Sequence, residues 1–212
     1  MRCVDACLYD SLNVCGTEMD VDEVVDEVMR DLDFYKNSRG GVTVSGGEPL
    51  MQAQFVANLL QTCKERELHT AIDTTGYVPW ERTAHVVEFV DLVLFDVKHL
   101  DPNKHEEATG VPNKMILENL ARWSRETTLW LRIPLITGFN DGAEHISEIA
   151  RLAREIGVEK VSLLPYHEGG KSKAGQLGRA YRFPDVQAPS EDHVKQLQEI
   201  VEQAGVPASV GN

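Results

Sequence analysis

Short apolar or β-branched runs alternate with amphipathic stretches of helical period along most of the chain, and few folds accept that pattern. Val42–Val44, His69–Asp73, Leu92–Val97, Leu129–Leu135 and Lys160–Leu164 read as strands. Between them, Gln54–Glu65, Glu81–Phe89, Lys114–Arg125 and Ala143–Ile156 space their apolar residues as helices with one buried face. A last helix is expected from Ser190 to Ala204. Strands joined by helices of this length lie parallel, and right-handed crossovers return each helix to the sheet. The pattern predicts an α/β fold with five strand–helix units.

Ahead of the first strand, Val21, Val24, Val25, Val28 and Met29 form a helical stripe with Asp20 at its cap, and Arg39-Gly40-Gly41 breaks the chain after it. The 212 residues suffice for one large domain. With 21 Lys and Arg against 34 Asp and Glu, the formal charge of −13 argues against an electrostatic grip on nucleic acid or anionic lipid. An anionic ligand would need a local site. No apolar run approaches the roughly 20 residues that span a bilayer. The start, MRCVDACLYD, lacks the apolar core of a signal peptide, so the chain reads as cytoplasmic. In a reducing compartment the thiols Cys3, Cys7 and Cys15 leave metal ligation or chance, not disulfides. Cys3 and Cys7 have the spacing of the last two ligands in the bacterial C-x2-C-x2-C-x3-C-P run, with Leu8 where that run has proline. Cys63, on a helix, reads as a small buried residue.

The unusual polar residues fall at the C-terminal ends of the predicted strands. Ser45-Gly46-Gly47-Glu48 follows the first, Asp73-Thr74-Thr75-Gly76 the second and Asp96-Val97-Lys98 the third; Arg132 lies within the fourth and Tyr166-His167 follows the fifth. Singly, each has a bland explanation as a turn, a helix cap or a loop residue. In a parallel barrel these ends share one face, the face on which barrel enzymes react. Adjacent glycines admit a ligand to the main chain. Asp73, Asp96 and Glu48 supply anionic oxygens for an ammonium group or a hard cation, while Lys98, Arg132 and His167 supply donors for a carboxylate or hydroxyls. Opposite charges on one rim suit a zwitterion such as an amino acid; a phosphorylated sugar would also use the Lys and Arg.

Gly40 to Leu50, His69 to Tyr77, Asp96-Val97-Lys98 and Leu163-Leu164-Pro165-Tyr166-His167 together resemble the glycyl-radical-enzyme activating enzymes, radical S-adenosylmethionine proteins that include the pyruvate formate-lyase activating enzyme. Arg132-Ile133-Pro134-Leu135-Ile136 and Phe34-Tyr35 fit the same family, so the resemblance runs from Cys3 to about Gly205. It implies a partial (β/α) barrel of the radical SAM type. It places Gly46, Gly47 and Glu48 at the methionine end of S-adenosylmethionine and Asp96, Val97, Lys98, His99 and Leu100 in a second cofactor-binding segment. Arg132 and His167 become further contacts. Asp73, Thr74, Leu94 and Asp96 match positions that hold a monovalent cation, and Cys3 and Cys7 match ligands of an insert iron–sulfur cluster.

The family's C-x3-C-x2-C loop, which holds the catalytic [4Fe-4S] cluster, has no counterpart, because Asp10 stands where the third cysteine would follow Cys3 and Cys7. The family's first barrel strand is not found either. The expectation is therefore an N-terminally truncated chain, inactive as it stands, with about five of six β/α units. Residues 1–18 would be a remnant of a ferredoxin-like insert and 19–212 the barrel. The complete enzyme would cleave S-adenosylmethionine reductively and place a radical on a glycyl radical enzyme, with flavodoxin or ferredoxin as electron donor. The alternative is a non-catalytic barrel that binds S-adenosylmethionine or docks the partner. A phosphate-binding aldolase-type barrel explains the basic residues but not the two segments S-G-G-E-P and D-V-K together.

Overall fold

A computed structural model gives the structure and describes residues 2–9, 11–12, 14, 16–166 and 186–211. After a short helix α1 (Arg2–Asp5), α2 (Val21–Met29) begins where Asp20 and Glu23 form a capping box, each side chain accepting from the other's main-chain N–H at 2.8 to 2.9 Å. Next come α3 (Leu32–Ser38) and β1 (Gly41–Val44). A 3-10 turn (Pro49–Gln52) leads into α4 (Ala53–Glu65) and β2 (His69–Thr74). The chain continues through α5 (Trp80–Thr83), a 3-10 run (Ala84–Phe89) and β3 (Leu92–Asp96). Then α6 (Pro102–Thr109) and α7 (Lys114–Glu126) precede β4 (Thr128–Leu135), and α8 (Ala143–Ile156) precedes β5 (Lys160–Pro165). Last come α9 (Glu191–Gln203) and β6 (Ala208–Val210).

Among the described residues six strands, all parallel, lie in sequence order, with β1 and β6 at the two edges. A parallel sheet built in sequence order by crossovers of one hand carries its helices on one face. The strands show it: along β4, Leu129, Leu131, Ile133 and Leu135 are buried against the helices while Trp130, Arg132 and Pro134 are half-buried on the other face. This is an unclosed α/β barrel. One core cluster runs from Leu50 on the first 3-10 turn to Val206 near β6, and a smaller one of Val25, Leu59, Cys63 and Leu68 fastens α2 to α4.

Several elements depart from the expected string, among them the unexpected short helices α1 and α3. β6 is a sixth strand where the sequence suggests five; its three residues are too few for alternation to register. The stretch Glu81–Phe89, expected as one helix, is a single turn followed by the 3-10 run, and the tighter winding buries the adjacent Val86 and Val87 together. α6 has no apolar stripe, since only His105 is buried, and it is fixed by its ends: Asp101 accepts from Asn103 N and Lys104 N, and Gly110 closes it at φ 86°. No helix among the described residues is long and apolar enough to cross a membrane.

Candidate functional site

The strand C-terminal ends bring most of the expected residues together. β1 stops at Val44, and Ser45 Oγ donates to Asp73 Oδ2 at 3.1 Å. Gly46 holds φ at +139°, a conformation that side chains disfavour, and a Cβ on either Gly46 or Gly47 would meet nothing within 4 Å. Their main chain thus borders open space. Glu48 has a different task from the one its charge suggests. Its carboxylate accepts from Thr74 Oγ1 (2.6 Å), Thr75 N (2.9 Å), Thr75 Oγ1 (2.7 Å) and Leu50 N (3.2 Å), tying the loop after β1 to the end of β2.

Beside this loop lies a row of alternating charge. Asp96 and Arg132 are register partners on β3 and β4. Arg132 Nε donates to Asp96 Oδ1 at 2.8 Å and Nη2 to Asp73 Oδ1 at 2.9 Å, while Lys98 Nζ meets Asp96 Oδ2 at 2.6 Å. The Arg132 and Asp96 side chains are only 12% and 14% exposed, so each charge depends on its partners. Burial alone would depress the Arg132 pKa, but its bonds to Asp96 and Asp73 prevail and raise it. Two carboxylates and two cations make the row locally neutral in a chain of charge −13. Arg132 also occupies the gap between the two carboxylates that the resemblance assigns to a monovalent cation; Thr74 Oγ1 is engaged with Glu48, and Leu94 is half-buried beside Asp73 in register.

The remaining residues of the Asp96–Leu100 segment face away from this row. Val97 is buried in the core and its N–H donates to Arg132 O at 3.0 Å. His99 is buried, accepts from Asp101 N through Nδ1, and stacks on His145 with ring centroids 4.0 Å apart. Burial, then the Lys104 charge, lowers the His99 pKa; burial, then the positive charge of His99, takes His145 to about 4. Leu100 packs against the main core. His167 and Cys15 lie outside the described residues.

Three buried asparagines that sequence reasoning passed over hold the rim in shape. Asn119 Nδ2 donates to Gly76 O and Val78 O, both at 2.8 Å, fixing the loop after β2. Asn113 Nδ2 donates to His99 O and Leu100 O, and Asn140 Nδ2 to Lys98 O and Pro134 O. Asn140 Oδ1 accepts from Ile136 N as well, joining the loops after β3 and β4. Each spends both amide hydrogens on carbonyls that would otherwise be buried unpaired. In a loop, as at Asn113 and Asn140, an asparagine carries no sequence signal of this role; the signal available was Asn119, a polar residue on the buried face of α7.

Cys3 and Cys7 lie on and just after α1, well outside this rim in sequence; Cys3 is exposed. A hydrogen bond with Ser11, then main-chain bonds to Tyr9 and Ser11, lower the Cys7 pKa to about 7. Cys63 sits in the smaller core, and burial raises its pKa. Among the described residues no three His, Cys, Asp or Glu side chains converge to hold a metal ion. The open glycine main chain and the neutral charge row do fit the amino-acid end of S-adenosylmethionine.

A family model, the radical SAM superfamily, matches residues 7–153. Among curated proteins, the 4-hydroxyphenylacetate decarboxylase activating enzyme of Clostridioides difficile (strain CD196) is 39% identical over 100% of this chain and 67% of its own length. The chain belongs to the glycyl-radical-enzyme activating family of radical SAM proteins. The isethionate sulfite-lyase activating enzyme of Oleidesulfovibrio alaskensis (strain G20) is 45% identical over 89% of this chain and 60% of its own. Among solved structures, a domain of pyruvate-formate lyase-activating enzyme from Bacteroides vulgatus ATCC 8482 superposes with a TM-score of 0.69 at 32% identity, covering 82% of this chain and 99% of that one. The family performs radical chemistry of the oxidoreductase type with S-adenosylmethionine and a [4Fe-4S] cluster. The chain spans about two thirds of the first of these relatives.

Proposed function

We propose that this chain is the S-adenosylmethionine-binding barrel of an activase that installs a glycyl radical on a partner enzyme. The observation that carries the reading is the neutral row Asp73–Arg132–Asp96–Lys98 beside the open main chain of Gly46 and Gly47. In this reading the glycine carbonyls receive the methionine ammonium, with Asp73 and Asp96 adding anionic oxygens. Lys98 and Arg132 direct N–H donors at the carboxylate and the ribose hydroxyls. Val97, His99 and Leu100 contribute through their main chain, because their side chains are committed elsewhere. Glu48 positions the loop and His167 supplies a further contact. A monovalent cation beside Thr74 and Leu94 would share Asp73 and Asp96 with Arg132 and not hold them alone. When bound, the cofactor and cluster supply the radical that takes a hydrogen atom from a glycine of the partner. The barrel's part is to fix the cofactor and exclude water.

Residues 1–18, with Cys3 and Cys7, form the end of a cluster-bearing insert in this reading. The similar activating enzymes are named for a decarboxylase and a sulfite-lyase, which supports a partner of that kind over pyruvate formate-lyase. The electron donor is a flavodoxin or ferredoxin. The second reading, a barrel that binds the cofactor without radical chemistry, draws on the lack of a three-thiolate set among the described residues.

Calorimetry of the 212-residue chain with S-adenosylmethionine tests the site. Binding is expected, and Lys98→Met should weaken it about tenfold, one charge-assisted hydrogen bond's worth. A folded chain that does not bind refutes the reading. Iron uptake after anaerobic reconstitution separates the two readings: binding without uptake favours the second.

A further inference from the structure

Past the end of β3 the sheet gives up its hold on the chain. The register of β3 with β4 ends at Asp96–Arg132, and one further bond, from Val97 N to Arg132 O, follows it. Beyond that point the carbonyls of Lys98, His99 and Leu100 all accept from asparagine side chains, Lys98 O from Asn140 and the other two from Asn113. Lys98 is the cation among the three, and it continues the alternation of the strand: Asp96 and Lys98 are half-buried, with Val97 buried between them. The direction of its ammonium therefore depends on main chain that no ladder bond fixes.

Asn140 is 1% exposed and uses its whole amide. Nδ2 donates to Lys98 O at 2.8 Å and to Pro134 O at 2.7 Å, and Oδ1 accepts from Ile136 N at 2.7 Å. A flipped amide would set Nδ2 against the Ile136 N–H and Oδ1 against the carbonyls, so one orientation satisfies the site. Pro134 stands two residues beyond Arg132 on β4. One side chain thus ties the main chain of Lys98 to the strand that carries Arg132, and with it the spacing of the two cations in the charge row. The loop that presents Asn140 is itself secured. Phe139 N and Asn140 N both donate to Ile136 O, and Gly138 N donates to Asp141 Oδ1 at 2.8 Å. Thr137 Oγ1 donates to Gln187 O at 2.9 Å, and His193 Nε2 on α9 lies 3.0 Å from Asp141 O and 3.2 Å from Asp141 Oδ2.

We propose that Asn140 is a positioning residue for S-adenosylmethionine: it sets the Lys98 ammonium relative to Arg132 at the cofactor site, and His193 steadies the loop that presents it. Asn140 acts through Lys98 and not on the cofactor itself. The inference rests on the activase reading, in which Lys98 and Arg132 meet the cofactor, and it adds that their spacing is decided from the loop after β4.

A double-mutant cycle, read by calorimetry of the chain with S-adenosylmethionine, tests the role. Lys98→Met should weaken the wild-type chain about tenfold. Asn140→Ala should weaken it to a similar extent, and Lys98→Met added to that variant should cost less than about threefold, because a misplaced ammonium has little left to lose. A buried amide with a purely structural task would lower the urea midpoint and leave the cost of Lys98→Met undiminished, and that outcome overturns the role. If Asn140→Ala does not fold, the cycle runs on His193→Ala, whose side chain is 37% exposed. There the cost of Lys98→Met should drop below about fivefold, and an undiminished cost again overturns the role. The wild-type chain keeps the two claims apart: failure to bind S-adenosylmethionine loses the activase reading, whereas binding with additive variants loses only the positioning role.

Discussion

Arg132 divides one guanidinium between two carboxylates on neighbouring strands, a geometry that a point charge cannot reproduce. Arg132→Met would leave Asp73 and Asp96 low in solvent with only Lys98 to answer them. We expect a loss of about 3–5 kcal/mol in urea unfolding, and Arg132→Lys should recover less than half of it. His145 makes a second prediction at this scale. Its folded pKa of about 4 lies below the ordinary 6.5, so the unfolded chain binds the extra proton first. The stability tied to the neutral ring is complete above about pH 6.5 and drains away as the pH falls toward 4. His145→Phe should flatten the stability profile across that window, measured as urea midpoints at several pH values, by a total on the order of 2 kcal/mol. Asp73, Asp96, Lys98 and Arg132 were legible in the sequence because charge at a strand's C-terminal end stands out against an apolar run. Asn113 and Asn140 were not, since an asparagine in a loop looks the same whether it turns the chain or clips two carbonyls, and Asn119 is a single polar residue within the buried stripe of α7.

At the scale of elements, the strand–helix alternation fixed most of the sheet, and α8 begins and ends where its apolar spacing places it. Apart from α1 and the 3-10 run, the misses share a cause. α3 and α6 bury too little apolar surface to print a period, and β6 is shorter than the period it would need. One glycine holds the edge of the sheet. A Cβ on Gly41 would come within 2.0 Å of His69 O, its register partner's carbonyl. Gly41→Ala should therefore push β1 off β2 and cost about 2–4 kcal/mol, seen as a lowered urea midpoint with faster amide exchange confined to β1 and its loop. Because Gly46 and Gly47 hang from the end of that strand, the same variant should weaken S-adenosylmethionine more than it would at a site supported elsewhere.

The whole molecule has two cores of unequal size. The larger links β2 to β5 with the helices laid on them, and Val44 of β1 and Ala208 of β6 pack against it, whereas α2 is held by the small cluster around Val25 and Cys63. Native-state hydrogen exchange should show α2 opening at least about tenfold more readily than β3 to β5, a gap of roughly 1.4 kcal/mol. The sheet order has a different kind of consequence. Each strand pairs with the one that precedes it in the chain, so no pairing waits for a distant segment to arrive. A chain leaving the ribosome can lay down its sheet one strand at a time, each new unit finding a finished edge. Contacts of short sequence separation favour quick folding. They also mean that an interrupted synthesis leaves behind an ordered stack with its last strand exposed as an edge opposite β1, not a tangle.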